Sequence, residues 1–325
     1  MDREPTSAEE FVTASATIGA DRVGLRLQEA LVGLLPDWLP SRKSCRKALD
    51  RGDIRCNGQP AGTAQFVKEG DRIEYIPRNV VVPDPGPRAP RHLRVLRPAG
   101  SDAAFVWKPA GLPTNGPGHF HLAGVIAHQA KHGTPEERLT LQPTQADGMP
   151  FPRPVHRLDR ATAGWVCLAL TLRAAQSLGH AFAERQVRKR YLALAVGKVE
   201  DGGSDAPLDG KSAHTTWRVL GQGALPLHGE ATLLEVWPTT GRTHQIRRHL
   251  ADLGHPLVGE DVHTAPDVDP KTAPRYTGHG LFLCAIGLTV PQGEHGNACD
   301  ALAPVPRKYK RIRWAAEALT QHGYA

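Results

Sequence analysis

"PVHRLDRATAGWVCLAL", residues 154–170, sets one acid, Asp159, among two arginines and a histidine, with an almost unbroken apolar run from Trp165 to Leu172 close behind. The run reads as a buried strand, and the polar residues before it as a turn at the strand's entrance. A carboxylate held against a buried strand costs free energy unless something pairs with it or uses it. From 151 to 199 the chain carries nine lysines and arginines against two acids, Asp159 and Glu184. Such a concentration of positive charge attracts phosphates and steers their approach. Arginines beside a carboxylate favour its ionised form. An ionised, oriented carboxylate can be a nucleophile, a general base or an ion-pair partner, and the charge pattern leaves all three open.

Outward from this stretch, strand-like runs recur at 104–107, 190–196, 215–220, 231–237 and 281–290. Helical periodicity lies between some of them. In "LRAAQSLGHAFAERQ" Leu172, Ala175, Leu178, Phe182 and Ala183 share a face, and in "THQIRRHLADLG" Ile246, Leu250 and Leu253 do. Strands predominate and helices are few. The expected class is therefore α+β, a mixed, mainly antiparallel sheet flanked by helices.

The amino-terminal part has a different character. Residues 1–20 lack periodicity and read as a loose tail. "LRLQEALVGLL" (25–35) has helical spacing, and "SRKSCRKALDRG" (41–52) reads as a second helix with Ser41 as N-cap and Gly52 past its end. That helix buries Cys45, Ala48 and Leu49 and presents Arg42, Lys43, Arg46, Lys47 and Arg51 on its other face. Asn57-Gly58 signals a tight hairpin, because both central residues need positive φ. "EGDRIEYI" closes the unit as a strand. Four prolines between 83 and 90 mark a linker, placed at 79–99, before a second domain over 100–325.

Composition bounds the remaining possibilities. Across 325 residues, 40% are hydrophobic and 22% charged, enough apolar material for a large core. The net charge of +7 suits a polyanionic partner. No apolar stretch reaches the roughly 18 residues of a membrane helix. The polar, acidic start is unlike a secretory signal. The five cysteines are scattered and never in C-x-x-C spacing, which argues against a disulfide framework or a cysteine zinc site. The expected compartment is a reducing cytoplasm. His156 has no second metal ligand at helix spacing and reads as a structural histidine. His119 and His121, in "GHFHLAG", read as part of a loop flanking the site, with no metal.

The strings themselves carry a resemblance. "HRLDRATAG" (156–164) resembles the H-R-L-D-R-x-T-S-G signature of the RluA-type pseudouridine synthases, which isomerise uridine in ribosomal or transfer RNA. "VWKPAGL" (106–112), "RKRYLALAVG" (188–197) and "TTGRTHQIRRHLADLGHPLVGE" (239–260) are similar to further segments of that family, in the same order. Residues 21–78 resemble the αL-type RNA-binding domain first known from a small-subunit ribosomal protein.

The resemblance implies a cofactor-free, metal-free isomerase acting on structured RNA. It implies Asp159 as the catalytic carboxylate, Tyr191 as the residue serving the base, and Arg247 as an arginine salt-bridged to Asp159. Arg157 would fill the space left by a flipped uridine. His156, Arg160, Lys108, Arg242 and Leu281 would complete the substrate site, and the basic helix face would hold RNA. Two rivals remain: a non-catalytic RNA-binding factor on the same fold, and a glycosylase or metal-dependent nuclease. The chain departs from the family pattern at Trp107 (usually Asn), Ala163 (Ser), Cys284 (His), Glu260 (Asp) and His263, near a usual Tyr.

Overall fold

A computed structural model of the chain describes residues 14–36, 39, 41–76, 89–90, 92–116, 120–143, 148–226, 229–263, 280–292, 297–302 and 305–324. Two compact units emerge, Met1–Val81 with Gln145–Pro150, and Val82–Thr144 with Phe151–Ala325.

The first unit contains β1 (Ala14–Thr17), α1 (Leu27–Ala30), α2 (Arg42–Arg51), β2 (Ile54–Cys56), β3 (Gln59–Pro60) and β4 (Arg72–Tyr75). Its antiparallel sheet runs β1-β4-β2-β3. Ser41 caps α2 by accepting the Ser44 N–H, and Gly52, at φ 71°, ends it. Asn57 and Gly58 turn β2 into β3 at φ 51° and 77°. Leu27, Leu31, Cys45, Ala48, Ile54 and Ile73 form the core.

Two expectations need correction. The helix read over 25–35 is a single α-turn, because Gly33 adopts φ 72° and the following bonds tighten, Val32 N–H to Glu29 O and Leu34 N–H to Leu31 O. The tail read over 1–20 contains β1, whose small side chains show little hydrophobic alternation but whose backbone pairs with β4. Residues 1–13 lie outside the described residues.

The second unit opens with β5 (Val95–Leu96), β6 (Ala103–Lys108), α3 (Leu122–His132), α4 (Pro135–Leu141), β7 (Gly148–Pro154, whose residues up to Pro150 are counted with the first unit), β8 (Ala163–Thr171) and α5 (Leu172–Ala183). It continues with β9 (Arg188–Val196), β10 (Gly202–Ser204), β11 (Thr215–Leu225), β12 (Gly229–Pro238) and α6 (Gln245–Asp252). It closes with β13 (Leu283–Gln292), β14 (Asn297–Leu302), α7 (Arg307–Lys310) and α8 (Arg313–Gln321). Ten strands form one sheet, β10-β11-β12-β9-β13-β8-β6-β5, with β7 added on β8 and β14 on β13. The described pairings are antiparallel except β13 with β8, so the sheet is mixed and mainly antiparallel, as expected. The proposed linker is shorter than 79–99. Ala89 and Leu93 are buried in this unit's core and β5 pairs with β6, while 79–88 and 91 lie outside the described residues.

Both sheet faces are covered, which is why its central strands read as continuous apolar runs. On one face Leu192, Leu194, Leu233, Phe282 and Cys284 meet Ala315 and Leu319 of α8. On the other, Ala193, Leu234, Val236 and Leu283 meet Ile246 and Leu250 of α6.

The parallel pairing of β13 with β8 spans only Cys284–Ala163 and Ala285–Gly164. Ala285 also faces Tyr191 on β9, so Gly164, Ala285 and Tyr191 lie in one row across three strands. Gly164 sits at φ 137°, and a Cβ there would come within 2.4 Å of the Ala285 carbonyl oxygen. Only glycine permits this approach. It brings the start of β8, and the turn before it, beside Tyr191.

Three departures from the family pattern meet nearby. Ala163 is the register partner of Cys284, and Trp107 packs with Ala163 against the cluster that holds Cys284.

Candidate active site

The turn that presents Asp159 is fastened from several sides. Val155 N–H donates to Cys167 O (3.0 Å), and His156 Nε2 accepts the Cys167 N–H (2.9 Å). The Thr114 hydroxyl accepts from Leu158 N–H (3.1 Å) and donates to Leu158 O (2.9 Å). Thr162 N–H donates to Asp159 O (3.1 Å), closing the turn. The carboxylate then projects into a cavity of about 450 Å³, its side chain 22% exposed. His156, Arg157, Asp159, Tyr191, Arg242 and Arg247 all line that cavity, together with Phe182, Arg185, Lys189, His244 and Leu283. Among the described residues, Asp159 is the one acid on the wall.

His156 lines the cavity and is at the same time held by the fold. Its Nε2 is an acceptor, its ring stacks on Phe182 (4.6 Å), and burial with the nearby Lys189 charge pushes its pKa down to about 3. Tyr191 packs between two core clusters. Burial, and then the charge of Asp159, raise its phenol pKa above the ordinary value, so the ring faces the cavity as a neutral donor. Lys189 reaches back to donate to Thr240 O (2.7 Å), with its pKa lowered to about 8 by burial and by Arg185. This ties β9 to the turn before α6. Gln245 locks that turn, accepting from Thr240 Oγ1 (2.6 Å) and Arg242 N–H (3.0 Å) while donating to His214 O (2.8 Å).

Arg247 departs from expectation. Its guanidinium forms a two-pronged pair with Glu260, Nε to Oε2 at 2.7 Å and Nη2 to Oε1, rather than a salt bridge with Asp159. Burial disfavours the cation, but the hydrogen bonds and charge of Glu260 outweigh it. Burial likewise opposes the Glu260 anion, and Arg247 with the loop N–H groups lowers its pKa regardless. Arg247 reaches Asp159 only as a charge across the cavity. Among the described residues, the side chain within ion-pair range of Asp159 is His244, with Nε2 3.8 Å from Oδ1.

Three residues expected at the substrate site lie elsewhere. Lys108 is fully buried, and its Nζ donates to the carbonyls of Leu112 (2.8 Å), Pro109 (3.1 Å) and Arg160 (3.4 Å). Burial lowers its pKa to about 8 against the pull of Asp159, and its work is to hold the loops around the Asp159 turn. Leu281 is buried in the core beside α6, and Leu283, two residues along, takes the wall position. Arg160 is exposed and donates to Gly111 O (3.1 Å) outside the cavity wall. Arg242 lines the wall while donating to Ser212 O (3.0 Å). His121 caps α3 by accepting the Gly124 N–H (3.0 Å), in place of the expected loop, and His119 lies outside the described residues.

Arg42, Lys43, Arg46, Lys47 and Arg51 are exposed along α2 in the first unit, with Arg46 near Asp50 (3.9 Å) and Arg51 paired to Asp53 (2.7 Å). Among the described residues no group of three or more His, Cys, Asp and Glu is placed to hold a metal ion, and no helix is long and apolar enough to cross a membrane.

Sequence reasoning passed over Lys189, His244, Leu283 and the pairing role of Glu260. His244 was visible as the histidine of G-R-T-H-Q-I-R. Its left-handed backbone, φ 55°, aims the ring at the cavity, and no local pattern announces that.

Residues 102–252 match the family model described as RNA pseudouridylate synthase. The chain is 32% identical over 306 residues to the ribosomal large subunit pseudouridine synthase D of Nitrosomonas europaea, covering 88% of this chain and 83% of that protein. It is 28% identical to an uncharacterized RNA pseudouridine synthase of Synechocystis sp., covering 94% and 93%. It is 33% identical to an uncharacterized RNA pseudouridine synthase of Chloroflexus aurantiacus, covering 86% of each chain.

Proposed function

The chain belongs to the RNA pseudouridylate synthase family, and from that premise we propose that Asp159 is the catalytic carboxylate of an enzyme that isomerises uridine in ribosomal RNA of the large subunit. The observation that carries this reading is the placement of one carboxylate, the single acid among the described lining residues, in a cavity whose wall carries Arg157, Arg185, Lys189, Arg242 and Arg247 and includes Tyr191. Isomerisation breaks the bond from sugar C1′ to base N1, turns the base and rejoins it through C5. No electrons are gained or lost, so a carboxylate and a proton path suffice. Asp159 acts on the sugar, by attack or by removing a proton.

Tyr191 offers an apolar ring face to the base. As a phenol with a raised pKa it is a hydrogen-bond donor rather than a strong base, so it passes a proton only by giving up its own. Arg157 and Arg185, both exposed on the rim, suit the phosphates around a flipped nucleotide. Residues 21–78, with their basic helix face, are proposed as the RNA-binding module and 100–325 as the catalytic domain. The large-subunit substrate is suggested by the relative from N. europaea.

Replacing Asp159 by Asn is expected to lower isomerisation at least about 10³-fold, the scale of losing an essential nucleophile or base, with RNA binding retained. Equal activity in the variant would refute the assignment. Mapping pseudouridines in total RNA with and without the gene is expected to show loss within large-subunit ribosomal RNA. Loss in transfer RNA instead would reassign the substrate. Free uracil as a product would replace the isomerase by a glycosylase.

A further inference from the structure

Beyond the carboxylate itself, two histidines form a line that ends on it. His244 Nε2 stands 3.8 Å from Asp159 Oδ1, and His244 Nδ1 stands 2.7 Å from His263 Nε2, the two rings meeting edge-on at 5.0 Å. The first distance is too long for a hydrogen bond but within ion-pair range, and the second is a full hydrogen bond. His244 opens α6 in a left-handed backbone, φ 55° and ψ 28°, and its ring makes no capping bond to that helix. A non-glycine residue takes this conformation at a cost, and here the ring is spent on the cavity. His263 is itself held, since its backbone N–H donates to Glu260 Oε1 (3.3 Å), and Glu260 is gripped by Arg247.

We propose that His244 is a positioning residue for Asp159, and that His263 sets the tautomer in which it acts. The inference rests on the reading of Asp159 as the catalytic carboxylate. One proton is shared in the bond between the two rings, so one ring donates and the other accepts. If His244 donated from Nδ1, its Nε2 lone pair would face the Asp159 anion, which is repulsive. If His263 donates from Nε2, His244 carries its hydrogen on Nε2 and turns it toward Oδ1. The carboxylate therefore selects the second arrangement, and that arrangement steadies the carboxylate's orientation. Closure around a substrate of roughly 0.6–1 Å would complete the hydrogen bond.

The charged groups around the pair are Asp159 from the β7–β8 turn, Arg247 and Arg248 from α6, and Glu260 with Asp261 from the loop beyond α6. Burial, with Arg247, His244 and Arg248, keeps His263 neutral to lower pH than usual, against the pull of Glu260. Because His263 resists protonation to lower pH than usual, the acid limb of activity is expected to respond to its replacement.

The test uses the full chain on a large-subunit ribosomal RNA transcript, following kcat and KM from about pH 5 to 8. His263→Phe removes the donor and is expected to lower kcat about tenfold with KM unchanged, the size of losing an orienting partner. His263→Tyr restores a donor hydroxyl and is expected to recover most of kcat with a displaced acid limb. His263→Phe with unchanged kcat and pH profile, beside an inactive Asp159→Asn, would overturn the positioning role alone. An active Asp159→Asn would overturn the reading of Asp159 first, and this inference with it. Nitrogen NMR of the imidazoles supplies a readout that needs no variant. Hydrogen on His244 Nε2 supports the proposal, and hydrogen on Nδ1 contradicts it.

Discussion

At His156 the protein keeps an imidazole in its neutral form by giving Nε2 a backbone N–H to accept and a phenyl ring to stack on. Burial, then Lys189, lowers its pKa from 6.5 to about 3. Between those values the unfolded chain binds a proton that the folded chain refuses. The contribution to stability is therefore complete above about pH 6.5 and is lost as pH falls through that window. Urea unfolding should show a lower midpoint near pH 4 than near pH 7, and His156→Gln should flatten that fall. An equal fall in the variant would place the acid sensitivity elsewhere. The Arg247–Glu260 pair makes a second prediction at this scale. Both side chains are almost wholly buried, 4% and 2% exposed, so Glu260→Gln leaves the cation with only the exposed Asp261, at 3.5 Å. The expected cost is about 3–5 kcal/mol, read as a lower unfolding midpoint. A loss of less than about 1 kcal/mol would mean that water reaches the guanidinium after all.

Among the elements, the joint between β8 and β13 governs the site. Gly164 adopts φ 137° and has the Ala285 backbone where a Cβ would go, so Gly164→Ala must push the strands apart. The expected penalty is about 1–3 kcal/mol from overpacking, with activity falling further than stability because the Asp159 turn moves away from Tyr191. Activity assayed well below the unfolding temperature separates the two effects. Preserved turnover would show that the hydrogen bonds fastening the turn position it without this joint. Elements were legible where the signal was local. α2 announced itself by Ser41, Gly52 and its apolar stripe, and both cap residues take those places. α4 was overlooked although Thr134-Pro135-Glu136-Glu137 is a capping box with proline at the first turn, a signal present in the string. β1 was not legible, because four small residues become a strand only when β4 lies beside them.

For the whole molecule, the net charge of +7 acts through where it is displayed. Arg42, Lys43, Arg46 and Lys47 are all exposed on α2, and the unit's core lies on the helix's other side. Replacing the four by glutamine should leave stability within about 0.5 kcal/mol. It should flatten the salt dependence of RNA binding by roughly 0.7–0.9 in log–log slope for each phosphate that the helix no longer neutralises. A salt slope equal to that of the unaltered protein would show that this face is only solvated.

The sequence by itself determined the strand-rich α+β class, the carboxylate at 159, and the run of motifs that identified the family. Each is written in the order and period of residues along the chain, which survive without a fold. Partnership was decided only by tertiary structure. Arg247 pairs with Glu260 instead of Asp159, Lys108 ends on carbonyls instead of substrate, Leu283 replaces Leu281 on the wall, and His244 with His263 stands behind the carboxylate. A charge or hydrogen bond goes to whichever group the folded chain brings within a few ångströms, and sequence proximity does not fix that distance.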